Sequence, residues 1–240
     1  MNDQLLDPDL LCSADPRERE IALALYAGVR DLPIISPHGH TDPAWFANND
    51  CFEDATSLFL VPDHYLFRML YSQGIPLESL GVPRIDGGQV ETNMRKIWQT
   101  FADHYFLFRG TPSGIWMSHV FHEVLGLTEP FTPESADRLF DFITNRLHSD
   151  EFRPRALLDR FNIELIATTE GAVDDLPHHR AMADTPMAGR VITTFRPDDV
   201  VDPEREDFVD NLVLLADLTG EDTESWGGYL DALRARRAVF

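Results

Sequence analysis

Leu32-Pro33-Ile34-Ile35-Ser36-Pro37-His38-Gly39-His40 joins a short apolar run to a closely spaced pair of histidines. A short apolar run bounded by turn residues reads as a buried strand, and the His-Gly-His turn falls where that strand ends. Side chains at i and i+2 share a face, so His38 and His40 can converge on one ion, while Gly39 lets the backbone turn or approach a neighbour closely. Imidazole ligands suit zinc and neighbouring transition metals. The C-terminal end of a strand is also where the active sites of parallel α/β barrels lie. The competing reading of an isolated HxH pair is two surface or supporting histidines.

Working outward, Asp15 and Pro16 give an N-cap and a first helical position for a helix over Pro16 to Val29. Beyond the turn, residues 42–149 have helical periodicity, with candidates at Asp63 to Gln73, Gln89 to Phe108, Ser113 to Leu125 and Pro133 to Leu147. A short helix over Arg155 to Phe161 leads into a second strand, Ile163 to Thr168. Helix Pro177 to Ala183 precedes a third strand, Arg190 to Phe195, and helices over Glu204 to Leu218 and Ser225 to Ala238 follow. Strands alternating with helices argue for parallel βαβ units and an α/β fold, either a barrel or an open doubly wound sheet. The expected organisation is an N-terminal helix and first strand over 1–41, a helical insertion over 42–150, and strands two and three with flanking helices over 151–240.

Composition narrows the function. The 43% hydrophobic content supplies a core, and no apolar run approaches the roughly 20 residues of a membrane span. The start lacks the basic end and apolar run of a secretory signal, so a cytoplasmic location is expected. With a net charge of -21 and Lys96 the only lysine, no basic field exists to neutralise nucleic-acid phosphates. An anionic substrate would need local arginines to reverse the field within its pocket. Cys12 and Cys51 lack ligand-like spacing and are expected as free thiols.

Two further constellations carry candidate chemistry. Asp63 can cap the helix that follows Pro62, leaving His64, Tyr65 and Arg68 free, with His64 and Arg68 on one face. Arg196, closing the third strand within Thr194-Phe195-Arg196-Pro197-Asp198, can grip a carboxylate through its planar fork or pair with Asp198 or Asp199. His119 and the His122-Glu123 pair do not form HExxH and read as packing or solvent-facing residues. His178-His179 reads as a cap or a solvent-facing pair.

In this order the pieces resemble the uronate (glucuronate) isomerase family of the amidohydrolase superfamily. The resemblance rests on the strand running into His38-Gly39-His40, on Asp63-His64-Tyr65 with Arg68, on Phe152-Arg153-Pro154-Arg155, on Ala167-Thr168-Thr169 and on Thr194-Phe195-Arg196-Pro197-Asp198, and covers about Asp15 to Phe240. It implies the N-terminal part of a distorted (β/α)8 TIM barrel with a large helical insertion after strand one. It also implies one divalent metal, commonly zinc, and interconversion of aldo- and keto-hexuronates such as D-glucuronate to D-fructuronate and D-galacturonate to D-tagaturonate. By the same analogy His38 and His40 are metal ligands, His64 and Tyr65 meet the substrate near the reacting carbons, and Arg196 and Arg68 are substrate-binding candidates. The partner expected is a small-molecule hexuronate, without nucleic acid or membrane, and with a homo-oligomer as the protein assembly considered. The alternatives are another metal-dependent amidohydrolase and an inactive truncated fragment.

The chain departs from the family pattern in two places. It has Ser36-Pro37 and Gly39 where members often have an acidic residue and Cys, and Thr169-Glu170-Gly171-Ala172 where consecutive aspartates and a proline are common. No role is assigned to Glu170. The family's further metal ligand, an aspartate from the last strand, is expected in a C-terminal half of the barrel missing from this sequence. Two histidines alone make a weak site, so the isolated chain is expected to be inactive unless complemented.

Overall fold

The computed structural model describes residues 10–61 and 63–240. The first nine residues, with the reading of the chain start, and Pro62 before the Asp63 cap lie outside them. In chain order the elements are α1 (Pro16–Ala27), β1 (Ile34–Ser36), α2 (Pro43–Asn48), α3 (Ala55–Phe59), α4 (His64–Ser72), α5 (Met94–Asp103), α6 (Pro112–His119), α7 (Ala136–Leu147), α8 (Pro154–Arg160), β2 (Ile163–Gly171), α9 (Pro177–Met182), β3 (Val191–Arg196), α10 (Asp198–Val201), α11 (Phe208–Thr219) and α12 (Trp226–Arg237). They fall into two compact units.

The first unit holds α1 and Cys51–Arg153. Its core is aromatic and built on helical spacing: α5 buries Ile97, Trp98, Phe101 and Ala102, and α7 buries Ala136, Leu139, Phe140, Ile143 and Leu147. Trp98 stacks within 5.0 Å of the Phe131 centroid and donates its indole N–H to the Ala136 carbonyl at 3.0 Å, so its one polar atom is satisfied. Arg95 ties the same two helices together, reaching Asp137 at 2.7 Å and Asp141 at 2.5 Å while lying over the Phe140 ring. Two expected helices are shorter than their periodicity. Asn93 caps α5, leaving Gln89–Thr92 outside it, and Tyr105–Phe108 tightens into a 3-10 turn. After α6 the chain widens into a π-helical turn at Val120–Val124.

The second unit holds Leu32–Asp50 and Pro154–Phe240. Its three strands form one parallel sheet in the order β1-β2-β3. Central β2 buries Ile166, Ala167 and Thr168 consecutively, the signature of a strand covered on both faces. Phe46, Leu158, Ile166, Met182, Met187 and Val191 form one apolar cluster, and Ala172, Val200, Leu215 and Ala232 a second. The observed class is therefore mixed α/β with a small parallel sheet.

The first strand corrects the sequence reading. It was expected to be buried, yet Ile34 and Ile35 are 49% and 61% exposed. The cause is position: β1 is an edge strand, paired only with β2 among the described residues.

Candidate functional site

The carboxyl ends of the three strands lie together in the second unit, and the His38-Gly39-His40 turn follows directly from β1. Parallel register brings Ser36 opposite Ile166, which carries the turn alongside the second half of β2. Gly39 is what lets it come so close: a Cβ there would lie 3.3 Å from the Ala167 carbonyl oxygen. The two imidazoles converge. Their Nε2 atoms are 3.1 Å apart and their ring centroids 5.0 Å, in an edge-on arrangement.

Two imidazole nitrogens that both presented bare lone pairs at this distance would repel each other, so the contact is favourable only with a proton or a cation between them. The spacing fits a metal. Two nitrogens each about 2.0–2.1 Å from one tetrahedral zinc stand roughly 3.3 Å apart. Beside His40, the Thr41 hydroxyl oxygen is buried without a hydrogen-bond partner, the kind of orphan that a polar ligand satisfies. Among the described residues, no group of three or more His, Cys, Asp or Glu side chains comes together as metal ligands would. The residues that could hold such an ion here are His38 and His40.

Arg196 closes β3 and is exposed, with its Nε 3.4 Å from Asp198 Oδ2. Such an exposed pair is weak and can be exchanged for a carboxylate ligand. His64, Tyr65 and Arg68 belong to the first unit. Asp63 Oδ1 accepts the Tyr65 and Leu66 N–H groups at 2.8 and 3.1 Å, capping α4 as its sequence demanded. Leu66, Phe67 and Leu70 take the buried face, which leaves His64, Tyr65 and Arg68 exposed, with the His64 and Tyr65 rings 4.3 Å apart.

One polar cluster was missed in the sequence. Glu170 is 8% exposed, and its Oε2 accepts hydrogen bonds from the Thr168 hydroxyl at 2.9 Å and from the Thr193 hydroxyl. His179 Nε2 lies 2.9 Å from the same Thr168 oxygen. The side chain of His179 is only 12% exposed, which corrects its reading as a cap or a solvent-facing residue. The signal was available in part. Glu170 lies two residues after Thr168 on a strand, hence on the same face, but its partners on α9 and β3 follow only from the fold.

A model of the glucuronate isomerase family matches residues 10–240. This chain belongs to the glucuronate isomerase family. It is similar to the uronate isomerases of Mesorhizobium japonicum, 56% identical over 236 residues, and Rhizorhabdus wittichii, 58% identical over 235, each match covering 98% of the chain. The crystal structure of glucuronate isomerase from Caulobacter crescentus matches with a TM-score of 0.92 at 52% identity over 98% of the chain. That of uronate isomerase from Thermotoga maritima matches with a TM-score of 0.79 at 25% identity over 90%. The chain spans about half the length of these relatives: 50% and 49% of the two sequences, 49% and 46% of the two solved chains. Among the described residues, no helix is long and apolar enough to cross a membrane.

Proposed function

We propose that this chain supplies the metal-binding strand end and part of the substrate pocket of a uronate isomerase, within the opening part of a (β/α)8 barrel. The reaction interconverts aldo- and keto-hexuronates, D-glucuronate with D-fructuronate and D-galacturonate with D-tagaturonate. The observation that carries the reading is the convergence of His38 and His40 at the end of β1 in a chain of this family.

Aldose-ketose isomerisation moves a proton between adjacent carbons through an enediolate, so it needs a base and a group that stabilises negative charge developing on oxygen. His38 and His40 are the residues that would hold a divalent metal, zinc by donor type. When bound, such an ion supplies a positive charge for the developing oxyanion. His64 and Tyr65 are exposed at the start of α4, an imidazole able to carry a proton and a phenol able to donate to a sugar oxygen, which are the roles the family resemblance implies for them. Arg196 is assigned to the uronate end, exchanging its Asp198 partner for the substrate carboxylate. The net charge of -21 makes such arginines necessary, since the mean field repels an anion.

An NMR titration of the chain with D-glucuronate, D-galacturonate, a neutral hexose and a lactone tests the substrate class. The expected result is saturable binding of the two uronates that perturbs the Arg196 side chain, with the backbone response to the uronates lost in Arg196→Met. Equal responses to the neutral hexose or the lactone would contradict a uronate site.

A further inference from the structure

We propose that Thr169 and Thr194 are positioning residues that aim the two histidines. They are register partners on β2 and β3 and therefore share a face of the sheet. From that face the Thr169 hydroxyl donates to the Gly39 carbonyl at 3.3 Å, and the Thr194 hydroxyl to the Pro37 carbonyl at 3.5 Å. Those carbonyls stand immediately before and after His38. The turn is thus pinned on both sides of one imidazole, and in the same short segment a Cβ on Gly39 would lie 3.3 Å from the Ala167 carbonyl oxygen.

The preceding register pair does a different job. Thr168 and Thr193 point to the opposite face and donate to Glu170. One threonine pair per face divides the labour: one stitches β2 to β3 through a buried carboxylate, and the other reaches across to the histidine turn. A hydroxyl on a β-branched side chain suits the second task because its χ1 is restricted, so the donor is held in place at small entropic cost. Without the two hydrogen bonds, the His38-Gly39-His40 segment loses the contacts that tie its flanking carbonyls to β2 and β3. The 3.1 Å facing of the two Nε2 atoms is then one of several arrangements open to it. Groups that orient metal-binding histidines typically change metal affinity by 10- to 100-fold on removal.

This inference rests on the proposed metal site for its consequence, but not for its geometry, and two readouts keep them separable. The metal-free readout is the nuclear Overhauser contact between the His38 and His40 rings in the 240-residue chain. The second is zinc affinity by competition with a chromophoric chelator. Thr169→Val/Thr194→Val should erase the ring contact and weaken zinc by about tenfold or more. Thr169→Ser/Thr194→Ser, which keeps both donors, should restore both, and Thr168→Val should lower the unfolding midpoint while leaving both unchanged. If the double valine variant does not fold, Thr194→Val alone, at the partly exposed strand, should still weaken the contact. Valine variants that keep the ring contact and wild-type zinc affinity overturn the proposal. Wild-type chain that binds no zinc refutes the metal reading instead, and the ring contact alone then decides the role of the threonines.

Discussion

Arg155 holds the backbone of Phe46 across 109 positions of sequence, its Nε donating to the Phe46 carbonyl at 2.7 Å. A second guanidinium nitrogen reaches the Ala47 carbonyl at 2.8 Å, and the Arg155 N–H donates to Asn49 Oδ1 at 3.0 Å. One residue therefore caps the carboxyl end of α2 and ties it to the start of α8. Helix α2 has only six residues, so it depends on this anchor rather than on its own propensity. Arg155→Met should cost about 2 kcal/mol, because it leaves two partly buried carbonyls without a charged donor. Urea unfolding measures this, and an unchanged midpoint would contradict the anchoring role.

Trp98 organises the core of the first unit, fully buried with Phe101, Phe121, Phe131 and Phe140 around it. Trp98→Ala should destabilise by about 3–5 kcal/mol, through lost burial, the cavity left behind and the lost indole hydrogen bond to Ala136. Trp98→Phe should cost clearly less. Equal losses for the two substitutions in calorimetry would show that ring packing is not what matters.

Much of this was legible in the sequence, and the failures have physical causes. Asp15-Pro16 and Asp63 announced α1 and α4 because an N-cap is a local device, and the structure has both carboxylates accepting the expected N–H groups. Three strands were recognisable from their apolar runs, and the parallel sheet followed from the helices between them. Burial of β1 was misjudged because an apolar run does not reveal whether a partner covers it. Glu170 and His179 were passed over because a buried polar cluster is assembled from β2, β3 and α9, and no spacing rule reaches across them. Thr168, Thr169 and Thr194 were quoted as motif residues, but their pairing across β2 and β3 and their division between two faces required the register.

Glu170 should be essential to the β2–β3 seam. Glu170→Ala removes the buried acceptor shared by the Thr168 and Thr193 hydroxyls, so a loss of about 2–3 kcal/mol is expected. Adding Thr193→Val to the same variant should recover part of it, since one of the stranded donors is then gone. A double-mutant cycle with strictly additive losses would contradict the coupling.

The Arg84 and Asp86 pair gives a pH prediction with a definite sign. Arg84 grips the Asp86 carboxylate with two hydrogen bonds, at 2.8 and 2.6 Å, and with help from the Gly88 N–H this holds Asp86 down from its ordinary 3.8 to about 2. A depressed value in the folded state favours the fold above the unfolded value of 3.8, and that contribution disappears as the pH falls through about 2. Because the pair is exposed, the stabilisation is small and the titration itself is the better readout. The Asp86 carboxyl should titrate at about 2 by NMR and move toward 3.8 in Arg84→Ala. A wild-type midpoint already at 3.8 would contradict the pairing.

Among the described residues, no third side chain of ligand type joins the two histidines, which falls short of the three protein ligands that catalytic zinc sites use. The purified 240-residue chain should therefore consume no uronate by itself. It should gain activity when mixed with the half of the Caulobacter crescentus enzyme that this chain does not match. Appreciable turnover without a second polypeptide would refute this.

Zinc stoichiometry of the purified chain, measured by titration beside His38→Ala/His40→Ala, tests the metal site most directly. The two imidazoles facing each other across 3.1 Å predict one bound ion per chain, lost in the double variant without loss of fold. A double variant that retains the same zinc per chain would contradict the site.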